Sequence, residues 1–283
     1  MFKRLRNKFK KEPKNKNPYI LKGIYDLYYQ IYPNSALDDH IVKHGIIQDW
    51  IVTRLDEFIK EDGIVFDIGA NVGLLTLPFA KKHVPNGKVF AFEPDMENYE
   101  QLEKNIQLNS LLNVYSYSIA LQDDSSIKSI NFYLRRAIDG DKLTNRGLST
   151  LEKMSNHNIS SNVIPCSTID QIMNENKLFQ IDFIKIDVEG SEFKVLTGGI
   201  STIEKYKPVI MYEYSVVIDK LTKSENTFNS FQLLKNLGYV QYKIFAEKSL
   251  LNLNSYDPNL ESANIIAFHE SNIPNKLKEY IQN

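Results

Sequence analysis

Residues 65–73 read VFDIGANVG, and no other stretch constrains the fold of this chain as sharply. An apolar run stops at an acid, two glycines and an asparagine follow, and a second apolar run, LLTLPFA, begins. Small residues between two apolar runs mark a sharp turn from a buried strand into a helix, with backbone left open to a ligand. Gly69 lets the chain turn, and Ala70 adds little bulk. Asn71 stands where a left-handed conformation is needed, which Asn tolerates better than most residues. Gly73 lets the following helix start close to a ligand. Asp67 ends the strand with a carboxylate expected to face the same crevice. Glu93, followed by Pro94, ends the next apolar run twenty residues after Gly73. Nucleoside-binding sheets place an acid at that distance to accept hydrogen bonds from ribose hydroxyls.

A dinucleotide fingerprint needs glycine at relative positions one, three and six, where this chain has Gly69, Asn71 and Leu74. A pyrophosphate would lose the close backbone approach that the second glycine provides. A sulfonium cofactor has no phosphate, carries positive charge and is favoured by nearby acids. Asp67 is placed to meet the ammonium of its amino-acid tail. These residues favour S-adenosyl-L-methionine over NAD.

From Gly63 onward short apolar strands alternate with helices. The strands read are 64–68, 88–93, 114–120, 182–188 and 208–214, with helices over 96–109 after an Asp95 cap and about 191–205 after a Ser191 cap. Such alternation means an α/β fold, a mostly parallel sheet covered on both faces. Segments 239–245 and 263–268 are expected to add an antiparallel edge. The alternation breaks at about 122–167, where SIKSINFYL suggests an extra strand and the polar run after it an insertion or lid. The resulting division is a basic arm over 1–18, a helical extension over 19–62, a catalytic domain over 63–270 and a tail over 271–283.

The arm holds eight Lys or Arg and one acid in residues 1–16, so a net charge of −1 overall leaves −8 for the remainder. That mildly acidic body argues against a nucleic-acid partner. Phe2, Leu5 and Phe9 fall on one side of a helix among cations, a pattern that suits an anionic membrane surface; a solvated arm is the competing expectation. A lone cysteine, Cys166, excludes an internal disulfide and a Cys-based zinc site. No apolar run reaches the ~18 residues of a membrane span. The expected location is the cytoplasm, peripheral at the inner membrane face if the arm docks there; a homo-oligomer stays open.

A second constellation lies in IKIDVEGSE: Lys185, Asp187, Glu189 and Glu192. Lys185 and Asp187 share one side of a strand, and Asp187 and Glu189 stand at its carboxyl end. Glu213 ends the strand after it. Acids from adjacent strand ends can deprotonate an acceptor hydroxyl or hold a hard divalent ion, with Asp187 and Glu213 as ligands. The competing role for Glu189 and Glu192 is to favour the N-terminal dipole of the next helix. His40 and His44 read as surface histidines and His157 as a loop histidine; Arg135, Arg136, Lys142 and Arg146 gather around the insertion, either to grip an anionic acceptor or as scattered surface charge.

The sequence resembles the FkbM family of S-adenosylmethionine-dependent methyltransferases. VFDIGANVGLLTLPFA, VFAFEPDMENYEQLEKNIQLN, GLSTL, STIDQI, IDFIKIDVEGSEFKVLTGG and KPVIMYEYS carry the resemblance, in family order across about residues 63–215. It implies a Rossmann-like class I methyltransferase fold with a seven-stranded sheet whose last strand is antiparallel. It also implies acceptors that are hydroxyls on sugars, glycans or secondary metabolites. Pro78 departs from it and is expected to shift or kink the helix after the loop. Two alternatives stay open: a methyltransferase for another small molecule or a nucleic-acid base, and a non-catalytic relative that binds a partner protein. Against the base methyltransferase, IDVEG lacks the Asn/Asp-Pro-Pro-aromatic tetrad that holds a planar base.

Overall fold

Strands rich in Val, Ile and Phe cannot leave either face in water, and this sheet buries both. The computed structural model describes residues 17–32, 53–134, 149–152, 161–245 and 249–281. In chain order its strands are β1 (Tyr19–Lys22), β2 (Tyr28–Ile31), β3 (Ile64–Ile68), β4 (Lys88–Phe92), β5 (Val114–Tyr117), β6 (Ala120–Leu121), β7 (Ser129–Tyr133), β8 (Ser161–Ser167), β9 (Phe183–Ile186), β10 (Val209–Ser215), β11 (Tyr239–Phe245), β12 (Ser249–Asn252) and β13 (Ser262–His269). The main helices are α1 (Thr76–Pro78), α2 (Met96–Leu108), α3 (Ile169–Glu175), α4 (Glu192–Thr197), α5 (Ile200–Tyr206), α6 (Val216–Thr222) and α7 (Asn226–Asn236).

The central sheet runs β12-β11-β13-β10-β9-β3-β4-β5. β10, β9, β3, β4 and β5 are parallel to one another, while β13 is antiparallel to both β10 and β11. This is the Rossmann-like class I methyltransferase architecture. Two details differ from expectation. The short β12 adds an eighth strand, and β13 is inserted between β10 and β11 rather than lying on the edge. Successive β3 residues point to opposite sides: Val65 packs with Leu77, Leu102 and Phe183, while Phe66 and Ile68 pack with Ile184, Leu196 and Phe231.

At residues 19–31 the extension is a strand hairpin and not the expected helix. β1 and β2 form an antiparallel hairpin, turned at Tyr25 and Asp26, both left-handed. YILK alternates half-buried and exposed positions, and that period of two wins over a weak helical signal. The outer edge of β2 is capped by a helix instead of a strand. Asn105 and Gln101 of α2 bond the N–H and C=O of Gln30, and Asn109 bonds both groups of Tyr28. Leu55–Glu57 is a short 3-10 turn, and residues 33–52 of the expected helical extension lie outside the described residues.

Asp95 caps α2 as expected, accepting from the N–H of Glu97 and Asn98. Ser191 makes no such bond; the predicted helix after it breaks at Gly198–Gly199 into α4 and α5. Pro78 closes the short α1, which continues as a π-helical turn over Phe79–His83, the kink expected of a missing donor. The insertion builds a small sheet ordered β6-β8-β7, of which only β7 was legible in advance. The tail folds back: Leu277 is buried, and the Tyr280 hydroxyl donates to Glu57 at 2.6 Å. No helix of the described residues is long and apolar enough to cross a membrane. Residues 1–16, His40, His44, His157, Arg135, Arg136, Lys142 and Arg146 lie outside the described residues.

Candidate active site

A cavity of about 300 Å³ opens at the carboxyl ends of β3, β4 and β9. The turn after β3 forms one wall with Gly69, Ala70 and Asn71; Glu93 and Pro94 form the next; Lys185, Asp187 and Glu189 form the third. Phe132, Ser149 and Leu151 of the insertion close the fourth.

The turn is held from below and beside. Gly69 and Ala70 both donate to the Phe92 carbonyl at 3.0 Å, and Asn71 donates to Glu93 Oε2 at 2.8 Å. Asn71 is left-handed at φ 51°, as its identity suggested, and its Oδ1 is buried without a hydrogen-bond partner. A ligand donor would satisfy that atom. Glu93 Oε1 accepts from Asp95 N–H at 2.9 Å. Burial pushes the Glu93 carboxyl up to about 7 against these two bonds, which favour the charged form.

Asp67 does not line the cavity. It is fully buried beneath the turn, accepts from Thr76 Oγ1 at 2.5 Å and stands 3.3 Å from Lys185 Nζ. Asp67 thus supports the turn from beneath and does not form the cavity wall. In a strand buried on both faces, the terminal acid points to whichever side its register dictates, here toward α1 and Lys185. Gly73 also lies outside the lining.

Lys185 occupies the site floor with its side chain 5% exposed. Its Nζ donates to the Gly69 carbonyl at 2.7 Å and lies 3.6 Å from Asp187. Burial alone would lower its pKa, but Asp67 and Asp187 outweigh that and hold it above the ordinary lysine value. A lysine kept charged cannot accept a proton, so the geometry makes Lys185 an anchor for the turn and a counter-charge for two acids.

Register brings the remaining acids together. β9 pairs with β10 so that Lys185 faces Met211, which sets Asp187 beside Glu213 two residues further along. Asp187, Glu189 and Glu213 each offer an oxygen within 4.8 Å of the others. Glu189 is left-handed at φ 55°, and its carbonyl accepts from Thr150 Oγ1 at 2.7 Å. Glu192, by contrast, folds back as a cap. Its Oε1 accepts from Val188 and Gly190 N–H, and its Oε2 from Asn226. Sequence reasoning singled out the GLSTL segment but gave no role to Thr150, whose only signal was proximity to a matched motif.

Burial, then the charges of Asp187, Glu189 and Glu192, push Glu213 up to about 9, partly offset by Lys185. Its Oε2 is buried without a hydrogen-bond partner. A carboxyl raised in the folded state favours folding below its unfolded pKa and withdraws that support as pH climbs to the folded value. Glu93 and Glu192, both near 7, act mainly below pH 7, so the interval from pH 7 to 9 isolates Glu213. Glu213→Gln is expected to gain roughly 2 kcal/mol on the native protein across that interval. Chemical denaturation at both pH values checks this; parallel losses in the two proteins would refute it.

A family model described as the methyltransferase FkbM domain matches residues 67–240, more than half of the chain. The chain belongs to the FkbM methyltransferase family. Among similar proteins, Hexuronic acid methyltransferase AglP of Haloferax volcanii is 25% identical over 164 residues, 58% of this chain and 61% of the relative. The 2-O-methyltransferase NoeI of Sinorhizobium fredii is 28% identical over 164 residues, 55% and 65%. Methyltransferase 1 of Beauveria bassiana is 25% identical over 156 residues, 49% and 59%. The chain thus spans about three fifths of the length of these relatives. Among solved structures, an FkbM methyltransferase from Methylobacillus flagellatus aligns with 82% of this chain and 53% of its own, at 14% identity and a TM-score of 0.47.

Proposed function

We propose that this FkbM protein is an S-adenosyl-L-methionine-dependent O-methyltransferase acting on a sugar hydroxyl of a glycan or glycoconjugate. The observation that supports this reading is one cavity, shared by the turn after β3, the Glu93 carboxyl and the Asp187 and Glu189 carboxylates after β9, with Glu213 of β10 close behind them. Relatives whose names specify a hexuronic acid methyltransferase and a 2-O-methyltransferase point the same way.

The residues fit the cofactor. Glu93 keeps acceptor capacity for ribose hydroxyls beyond the two N–H groups it holds, and the orphaned Asn71 Oδ1 awaits a donor. When bound, S-adenosylmethionine supplies a methyl group activated by a sulfonium. Asp187 stands in the cavity wall with its side chain 45% exposed, the reach a base needs toward an entering hydroxyl. There Asp187 would accept the proton of the acceptor hydroxyl as that oxygen becomes the nucleophile. Glu189 and Glu213 stand beside Asp187, and the Lys185 ammonium lies 3.6 Å from it as a counter-charge.

A second arrangement draws on the same oxygens: Asp187, Glu189 and Glu213 are close enough to share one hard divalent ion, which would lower the acceptor's pKa.

Glu93→Ala is expected to weaken S-adenosylhomocysteine binding by about 1–3 kcal/mol, as for a charge-assisted hydrogen bond lost. The charged carboxylate is the better ribose acceptor, so wild-type affinity is expected to rise between pH 6 and 8 and the variant's to stay level. Calorimetry on the folded proteins decides it; equal affinity in both would remove Glu93 from the cofactor site.

A further inference from the structure

The amides that cap the hairpin do more than cover an edge. Gln101, Asn105 and Asn109 stand four residues apart on one face of α2, a rise of about 6 Å per step. Alternate residues of a strand advance about 6.8 Å. That near match lets a helix side-chain row serve as the missing neighbour of β2, meeting Tyr28 and Gln30.

Asn105 differs from the other two. It is fully buried, and its amide spans two backbones. Oδ1 accepts from Gln30 N–H at 2.8 Å, and Nδ2 donates to the Val72 carbonyl at 2.8 Å. A flipped amide would set oxygen against oxygen and N–H against N–H, so the hairpin fixes which way the amide faces. Val72 sits between Asn71 and Gly73, two of the three left-handed residues of the cavity turn, at φ 51° and 91°. Phe92 and Glu93 hold the first half of that turn; Asn105 holds the second.

We propose that Asn105 is a positioning residue for the cofactor turn, oriented by the N-terminal hairpin, and that it sets cofactor affinity without touching the cofactor. The affinity part rests on the cofactor reading above.

The test compares Asn105→Ala with Asn109→Ala, which removes hairpin bonds but has no contact with the turn. Asn105→Ala is expected to bind S-adenosylhomocysteine roughly tenfold or more weakly, and Asn109→Ala within about twofold of wild type. Hydrogen exchange of the ligand-free proteins is expected to quicken at residues 69–75 in the Asn105 variant alone. Should Asn105→Ala fail to fold, Asn105→Asp replaces it, of similar size but presenting an acceptor to the Val72 carbonyl. Wild-type affinity and exchange in the Asn105 variant would overturn the proposal, as would equal weakening in both variants, since that is general loosening. If wild type binds no S-adenosylhomocysteine, the cofactor reading has failed, and the exchange comparison still decides whether Asn105 holds the turn.

Discussion

Asp187→Asn is expected to cut methyl transfer by about 10²–10⁴-fold, the contribution typical of a positioned base. Cofactor affinity should change far less, because the turn after β3 is held by Phe92, Glu93, Lys185 and Asn105 and not by the Asp187 carboxylate. The substitution preserves shape and removes one charge from a half-exposed side chain whose ion pair is 3.6 Å from Lys185. The fold therefore survives it, and a loss of turnover is a loss of chemistry. Turnover is measured on a panel of sugar acceptors, with S-adenosylhomocysteine affinity alongside. Chelation separates the two arrangements of the acids. Activity lost to chelator and restored by Mg²⁺, Mn²⁺ or Ca²⁺ favours the shared ion, and indifference favours the direct base. A folded Asp187→Asn protein that turns over at the wild-type rate defeats both.

Gly69→Ala is expected to cost more than ~3 kcal/mol of stability and to abolish cofactor binding. A β-carbon there would lie 1.8 Å from the Asp187 carbonyl oxygen and 2.9 Å from its carbon, on a residue at φ 78°. Both obstacles are backbone, so relief means parting β3 from β9 at the level of the acids. Gly73→Ala is the control. Its β-carbon would meet the side-chain ends of Leu77 and Leu102, which can move, at φ 91°. Its expected cost is about 1–2 kcal/mol. Thermal and denaturant unfolding rank the two; a Gly69 variant no less stable than the Gly73 variant contradicts this account.

What the sequence made legible follows from how locally each feature is determined. β3 was read to the residue because Val, Ile and Phe in a strand buried on both faces leave little choice, and the antiparallel β11 because its β-branched and aromatic residues favour a strand. The left-handed turn was readable because Gly69, Asn71 and Gly73 announce it. Glu93 could be named from spacing alone, since one βαβ unit fixes its distance from the turn. Asp67 could not be placed, because the side a buried strand-end acid faces depends on α1 and Lys185, which lie 9 and 118 residues away. The hairpin was missed for the same reason: its stabilising partner is a row of amides 71 or more residues downstream, along α2 and at its C-terminal end. Glu189 was named, but its meeting with Glu213 depends on a strand register that only the packed sheet sets.

The placement of β13 between β10 and β11 governs the order in which this molecule can be assembled. A growing polypeptide that has emerged only through β12 holds two strands whose proper neighbour does not yet exist. β10 and β11 then each expose a row of unpaired amides and carbonyls, the kind of edge that captures strands from other chains. Residues 262–269 must thread between elements made some 20 to 50 residues earlier, a non-local pairing that slows folding. Completion of the sheet is thus deferred until residues 262–269 have been made, and until then the nascent protein is most exposed to self-association and most dependent on being shielded from it.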